Sequence, residues 1–279
     1  MISFDFLYFR PKSVHEALQI YQDLSHEGLQ AVFYNGGTEI ISRARAGEVQ
    51  PDAVIDMKGI ADCQGYRDEA EWITIGAAVT LSNITDEINC FPLMQRIAKE
   101  IATRNARNKI SIAGNVLSSL NYREALLPFL LTDSVAVVAG PAGIKEENTA
   151  ALFANGSRLE PGKLLVQFKT EKERAGANYF FKKKTKQSAV NYPIATLCAM
   201  KREGKITAGF SGICTFPFKD AKIDRILNDH ALTISARAEE AIAHLPEKMV
   251  NDFHASAGYR HFVLEQLLIE MLEHFEEVS

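Results

Sequence analysis

What the 279-residue chain lacks narrows its function first. Its four cysteines, Cys63, Cys90, Cys198 and Cys214, stand apart without C-x-x-C or any other cluster spacing. That excludes a recognisable zinc or iron–sulfur site and leaves reduced structural thiols. No stretch approaches the roughly eighteen consecutive apolar residues of a membrane span. The start, MISFDFLYFRPKS, lacks the basic region and apolar run of a secretory signal, so the chain is expected to be cytoplasmic. Neither charge sign dominates: 31 Lys+Arg against 35 Asp+Glu give a net charge of -4, which argues against a nucleic-acid or anionic-membrane binder. No Ser-His-Asp or Cys-His arrangement is recognisable, and His254 and His261 have no obvious third partner for a metal. Internal repeats and low-complexity tracts are absent as well.

What is present is a chain with 47% hydrophobic residues, long enough for two domains and able to bury roughly 70–75% of its unfolded surface. Phe4–Phe9 reads as a strand, and Ser13-Val14-His15-Glu16 is a capping box opening a helix with an apolar stripe of Val14, Ala17, Leu18, Tyr21 and Leu24. Gly28 ends it. Leu29–Tyr34 is rich in β-formers, Ile40–Ala46 suits a short helix stopped by Gly47, and Ala53–Asp56 is a further strand. The order is that of a compact βαβαβ unit, in which ligands sit beyond the carboxyl ends of the strands. Phe33-Tyr34-Asn35-Gly36-Gly37-Thr38-Glu39-Ile40 falls at such an end. There, two glycines can adopt positive φ and leave the amides uncovered, which suits either an anion cradle beside a helix N-terminus or a plain tight turn.

Further along, Trp72–Val79 alternates as a strand, Thr80 or Ser82 caps a short helix, and Pro92 opens a longer one with Leu93, Ile97 and Ile101 at helical spacing. Ser111-Ile112-Ala113-Gly114-Asn115 is a second small-residue turn, able to donate to an oxyanion or simply to bend between packed elements. Leu126–Leu131 reads as a helix, Ser134–Val138 and Leu164–Phe168 as strands, Pro141–Thr149 as an exposed polar loop, and Thr170–Gly176 as a boundary. Beyond it come strands at Ala177–Lys182, Ala195–Lys201 and Ile206–Ile213, with a Lys-Arg-Glu-Gly hairpin between the last two. Helices at Ala221–Leu227, Ile234–His244 and Tyr259–Phe275 follow. The lysines 182, 183, 184 and 186 read as a solvated strand edge, from which one could serve a flavin or phosphate.

Together the two turns and Ser256-Ala257-Gly258-Tyr259-Arg260 resemble the FAD-binding medium subunit of molybdenum hydroxylases, the xanthine dehydrogenase and carbon monoxide dehydrogenase flavoprotein family. Asn35-Gly36-Gly37-Thr38-Glu39 is similar to that family's A-G-G-T-D/E, and Arg107-Asn108-Lys109-Ile110-Ser111-Ile112-Ala113-Gly114-Asn115 to its R-N-x-x-T-I-G-G-N. The resemblance covers nearly the whole chain. It implies an α+β fold: a two-subdomain, vanillyl-alcohol-oxidase-like FAD-binding region over residues 1–173, with a small βαβ unit to about 60 and a larger mixed subdomain from 61. A C-terminal domain over 174–279 would hold a small antiparallel sheet with helices.

The resemblance also implies FAD as cofactor, with Phe33 through Ile40 and Ser111 through Asn115 cradling its pyrophosphate and ribityl region. Glu124 stands at the place of a family aspartate and Leu164 or Leu165 near the flavin. Lys184 matches a family lysine, and Ile101 falls where some relatives carry an aromatic. The implied role is an electron-transfer oxidoreductase subunit. Electrons from a molybdenum centre, oxidising for instance a purine, would pass through 2Fe-2S clusters to FAD and on to NAD or another acceptor. Molybdopterin and clusters would reside on a molybdopterin-binding subunit and an iron–sulfur subunit, making a hetero-oligomer. A stand-alone flavin oxidoreductase and a scaffold subunit that has lost FAD are the alternatives. Three departures stand out: Ala113 for a glycine, Glu124 for an aspartate, and Leu120-Asn121-Tyr122-Arg123 in place of a small-residue-plus-proline pattern.

Overall fold

The computed structural model describes residues 2–186 and 192–277. Three sheets organise them. Strands β1 (Leu7–Phe9), β2 (Ala31–Tyr34) and β3 (Ala53–Asp56) form an all-parallel sheet in the order β1-β3-β2. The central position of β3 explains why all four of its residues are buried. Ser13 caps the helix Val14–His26 by accepting from the Glu16 amide, while Glu16 reaches back to the Lys12 amide. Gly28 then turns the chain at φ +77° into β2.

The second sheet, entirely antiparallel, contains β4 (Tyr66–Asp68), β5 (Trp72–Gly76), β6 (Val135–Gly140), β7 (Gly143–Asn148) and β8 (Leu164–Glu171) in the order β4-β5-β8-β6-β7. Its inner strands are covered on both faces. Val137, Ala139, Leu164 and Val166 meet Phe9, Phe33 and Ile55 of the parallel sheet. Ala136, Val138, Leu165 and Phe168 turn to a larger core with the helices Leu81–Glu87, Pro92–Glu100 and Leu127–Leu131. The polar stretch read as a loop at Pro141–Thr149 is instead mostly β7. As an edge strand exposed along nearly its whole length, it carries no apolar alternation, and its Ile144 lies in solvent. The boundary segment at Thr170–Gly176 is likewise regular: β8 runs on to Glu171, and Lys172–Ala175 make one helical turn.

The third sheet is antiparallel in the order β12-β11-β10-β9, from β9 (Asn178–Thr185), β10 (Pro193–Arg202), β11 (Lys205–Ser211) and β12 (Phe218–Lys219). Glu203 and Gly204, both at positive φ, make the hairpin turn between β10 and β11. One face packs on the helices Ala221–Leu227, Ile234–Ala243 and Ala257–Glu277 through Ala195, Leu197, Ala199 and Phe210. Cys198 and Met200 on the other face join the core of the second sheet. Strand β10, buried on both sides, ties the two regions together. Arg260 is wholly buried at the start of the last helix and donates to the carbonyls of Ile194 and Gly212 and to Asp252.

Candidate functional site

Strand β2 delivers the first glycine turn to the carboxyl edge of the parallel sheet, and the short helix Ile40–Arg45 takes the chain away. Gly37 sits at φ +72°. A β-carbon on Gly36 would stand 1.5 Å from the Lys109 carbonyl oxygen, so the two sequence motifs meet backbone to backbone. Among the described residues, none of the amides of Asn35, Gly36, Gly37, Thr38 and Glu39 donates to a protein acceptor, and buried Asn35 Oδ1 also lacks a partner. Unpaired backbone donors in such number ask for an external acceptor. Phe33 through Ile40 line an open cavity of about 620 Å³, together with Ser111, Ala113, Gly114, Leu164 and Leu165. A second cavity of about 410 Å³ shares Tyr34–Thr38, Lys109 and Ser111, so the turn is a wall common to both.

The second turn contributes differently from its expected role as an oxyanion donor. Four of its five amides, all but that of Ser111, are already engaged: Ile112 donates to Val79 O and Ala113 to Ala77 O, each at 2.9 Å, Gly114 to Ser111 Oγ at 3.1 Å, and Asn115 to Ser111 O at 3.0 Å. The segment is a capped helix start, Ile112–Val116, stitched to the chain after β5. Ala113 and Gly114 therefore offer surface to the cavity, and the extra Cβ of Ala113 displaces no donor. Ile112 is core, and Asn115 spends its Oδ1 on the Ala125 amide at 3.0 Å.

Polar side chains brace the first turn. Glu39 accepts from Ser118 Oγ at 2.6 Å, from the Ser119 amide at 3.1 Å and from Ser119 Oγ, tethering the turn to the loop after the second motif. Burial alone would raise the Glu39 pKa, but these donors outweigh it and hold the carboxyl below the ordinary range. Lys58 donates to the Asn35 carbonyl and to Asp56 Oδ1, both at 2.8 Å, with its ammonium 4.4 Å from the centre of the Tyr34 ring. Asp56 is buried and also takes Tyr8 Oη. Burial pushes its pKa up, yet the bonds from Lys58 and Tyr8 bring it below normal.

The remaining predicted positions lie elsewhere. Glu124, buried, accepts from Lys183 Nζ at 2.8 Å and from Thr196 Oγ1 at 2.6 Å; Lys183 also donates to the Glu100 carbonyl, beside Ile101. Lys183 and Thr196 are directly paired across β9 and β10. Lys184, the lysine anticipated from the resemblance, is exposed and falls on the opposite face of β9, with Phe180 and with Lys182, which pairs to Glu270. The period of two decides this: one residue along a strand reverses the side. Ile101 is nearly buried core and does not border either cavity.

Several site residues escaped the sequence reading. Lys109, Leu117, Ser118 and Arg43 border the larger cavity, and Lys58, Thr80 and Asn108 the smaller. Lys109 stood inside the second motif and could have been found. Lys58 carries no local signal. Arg123 is also unforeseen: it is 2% exposed, and its Nε and Nη1 have no hydrogen-bond partner. The four cysteines are free; burial pushes the thiols of Cys63 and Cys214 up to about 12 and that of Cys198 upward, so these three are poor nucleophiles. Among the described residues no three His, Cys, Asp or Glu side chains gather to hold a metal. His254 instead packs against Tyr122 and Tyr192. No helix among them is long and apolar enough to cross a membrane.

Residues 3–169 match the family described as the FAD binding domain in molybdopterin dehydrogenase. The carbon monoxide dehydrogenase medium chain of Hydrogenophaga pseudoflava is 24% identical over 188 residues, 66% of this chain and 64% of that relative, so the match spans a little under two thirds of that relative's length. The nicotinate dehydrogenase FAD-subunit of Eubacterium barkeri is 22% identical over 221 residues, 76% of this chain and 72% of that one. In solved structures, a chain of carbon monoxide dehydrogenase from Hydrogenophaga pseudoflava superposes with a TM-score of 0.86 over 98% of both chains at 23% identity, a likeness of fold.

Proposed function

Since the chain belongs to the family of FAD-binding domains of molybdopterin dehydrogenases, we propose that it is the FAD-binding, electron-transfer subunit of a molybdenum hydroxylase-type oxidoreductase. FAD is the cofactor of this family, and when bound it supplies reversible two-electron and one-electron redox chemistry. The residues present fit it. The row of unpaired amides from Asn35 to Glu39, in a turn that lines a cavity, carries the reading: these donors suit a pyrophosphate, and a Cβ at Gly36 would close the approach.

Each of this chain's residues then has a task. Asn35–Glu39 hold the anionic part of the dinucleotide, and Glu39 keeps the turn in place through Ser118 and Ser119. Lys58 fixes the Asn35 carbonyl from behind and lends positive charge. Leu164, Leu165 and Ala113 provide apolar wall and exclude water from that part of the cavity. Glu124 and Lys183 lock β9 and β10 against the FAD-binding region. No acid, base or nucleophile on this chain is required.

The reading extends to separate iron–sulfur and molybdopterin-binding subunits, in keeping with the names "medium chain" and "FAD-subunit" of the relatives, and to NAD or another acceptor. Those two relatives act on chemically unlike substrates, which supports placing substrate choice, a purine included, on another subunit. We also place the cofactor region at residues 1–173 and a separate domain at 174–279, and the complex in the cytoplasm, where free thiols persist. The test is the visible spectrum of the purified chain, with flavin released by acid and with FAD added back. A yellow protein, or one that turns yellow with FAD, is expected; a colourless chain that takes up no FAD refutes the reading and leaves the scaffold alternative. Copurification with a molybdopterin-containing chain is expected, whereas turnover of a small substrate by the isolated chain would mark a stand-alone flavoenzyme.

A further inference from the structure

On the walls of the two cavities that share the glycine turn, most cations already hold a carboxylate. Arg43 pairs with Glu48 at 3.3 Å and with Glu39 at 3.8 Å, Lys58 with Asp56 at 2.8 Å, and Lys163 with Glu160 at 2.9 Å. Lys109 is the exception. It borders both cavities and is exposed, and among the described residues its ammonium has neither an ion-pair nor a hydrogen-bond partner.

The fold fixes where this free charge stands. The Lys109 amide donates to the Ala106 carbonyl at 2.9 Å, and the Ile110 carbonyl that follows accepts from the Leu81 amide at 2.9 Å, so the backbone is held on both sides. Its own carbonyl lies against Gly36, where a β-carbon would also stand 3.3 Å from the Lys109 Cα. The side chain therefore springs from the point at which the second motif touches the first, beside the unpaired amides of Asn35–Glu39. Those amides are neutral dipoles, which solvate an anion without cancelling its charge. The pyrophosphate of a dinucleotide carries a negative charge on each phosphate, Glu39 and Glu48 line the larger cavity, and the chain as a whole bears a net charge of -4. Such an anion needs a cation free to face it, and a lysine ammonium on a flexible stem is a compact charge suited to phosphate.

We propose that Lys109 supplies the counter-charge for the cofactor's pyrophosphate, its ammonium donating to a phosphate oxygen held by the Asn35–Glu39 amides. This rests on the reading of the site as an FAD cradle. The glycine turn is then the geometric half of the site and Lys109 the electrostatic half, and the two are separable by substitution. Lys109→Met keeps an unbranched side chain and the backbone contact with Gly36 but removes the charge. FAD and ADP affinities fall about 10-fold, the loss of one charge-assisted contact in a crevice open to water. Riboflavin, which has no phosphate, binds as before. Lys109→Arg keeps the charge and retains most of the affinity.

The experiment measures melting temperature, and the dissociation constants of FAD, ADP and riboflavin at low and high NaCl, for the full chain, both variants and Lys145→Met. The last removes the same charge from the exposed strand β7, away from both cavities. The parent and Lys145→Met are expected to lose ADP affinity as salt rises, whereas Lys109→Met starts weaker and shows little of that dependence. All four proteins should melt alike, because the substituted lysines are exposed. The proposal falls if Lys109→Met binds ADP within about twofold of the parent at low salt, a difference too small for a charged contact, or keeps the parent's salt dependence. It falls equally if ADP and riboflavin weaken together or the melting temperature drops, since the residue then shapes the wall and does not charge it. A parent chain that takes up neither FAD nor ADP is a separate result, which removes the underlying reading and this inference with it.

Discussion

The backbone of Gly36 lies against the backbone of Lys109, so closely that any β-carbon there would stand 1.5 Å from the Lys109 carbonyl oxygen. Two turns more than seventy residues apart thereby form one wall, with the unpaired amides of the first facing no protein acceptor. The glycine at 36 answers to this apposition; it sits outside the positive-φ set, unlike Gly37 at φ +72°.

Gly36→Ala is therefore expected to separate the turns and abolish FAD uptake, since backbone, unlike a flexible side chain, cannot step aside. Gly28→Ala is the control. At φ +77° it is strained by about 1 kcal/mol, but its β-carbon meets nothing within 4 Å and it lies off the cavity. Thermal melts and FAD titration of both variants check this: Gly28→Ala should lose stability and keep flavin binding.

The lysine on β9 gives a second test. Lys183→Met leaves the Glu124 carboxylate buried with only Thr196 as partner, which is expected to cost about 3–5 kcal/mol in denaturant unfolding. Adding Glu124→Leu should return part of that loss, because the stranded charge goes with it. Lys184→Met, one residue along on the exposed face, should change stability by no more than about 0.5 kcal/mol. A larger effect at 184 than at 183 would refute the assignment.

Much of this architecture was legible in the sequence, and the failures have physical causes. The capping box at Ser13–Glu16, the helix Ala221–Leu227 and the Glu203-Gly204 hairpin each follow from local chemistry, and the structure has them. The first glycine turn was legible because a parallel strand leads into it. The choice among lysines 182–184 was not, since charge carries no information about which face of a strand is covered. Strand β7 was missed because both its faces meet water, so the pairing that makes it a strand lies in Val135–Gly140. The second turn looked like a donor site because the acceptors of its Ile112 and Ala113 amides, Val79 and Ala77, are remote in sequence. Arg123 was legible only as a departure from a small-residue pattern; that it is buried and unpaired is a property of packing.

Asp224 sets a pH dependence in the C-terminal region. Burial, opposed by the Ala208 amide at 2.9 Å and by Lys219, pushes its pKa up to about 6 from 3.8. The folded pKa exceeds the unfolded one, so this group's stabilising contribution is full below about pH 4 and is lost as pH rises through about 6. Asp224→Asn keeps an oxygen for the Ala208 amide and removes the titration. It should be more stable than the parent at pH 7, by on the order of 2 kcal/mol, with the advantage vanishing near pH 4 in urea unfolding curves.

Glu39 is expected to behave in the opposite sense, and at the site itself. Its folded pKa lies below the ordinary carboxyl value because donors from Ser118 and Ser119 outweigh burial. Its contribution is therefore present above the unfolded pKa and is lost as pH falls through the depressed folded value. Ser118→Ala removes the 2.6 Å hydroxyl bond and should let the Glu39 pKa rise toward normal, so that the variant loses FAD at a higher pH than the parent during acid titration. Glu39→Gln should flatten the acid limb and loosen the tether, weakening FAD binding by roughly 10-fold, one charged hydrogen bond's worth. Flavin fluorescence released on stepwise acidification reads all three proteins. If the parent, Ser118→Ala and Glu39→Gln release flavin along one curve, the tether from turn to loop does not hold the cradle.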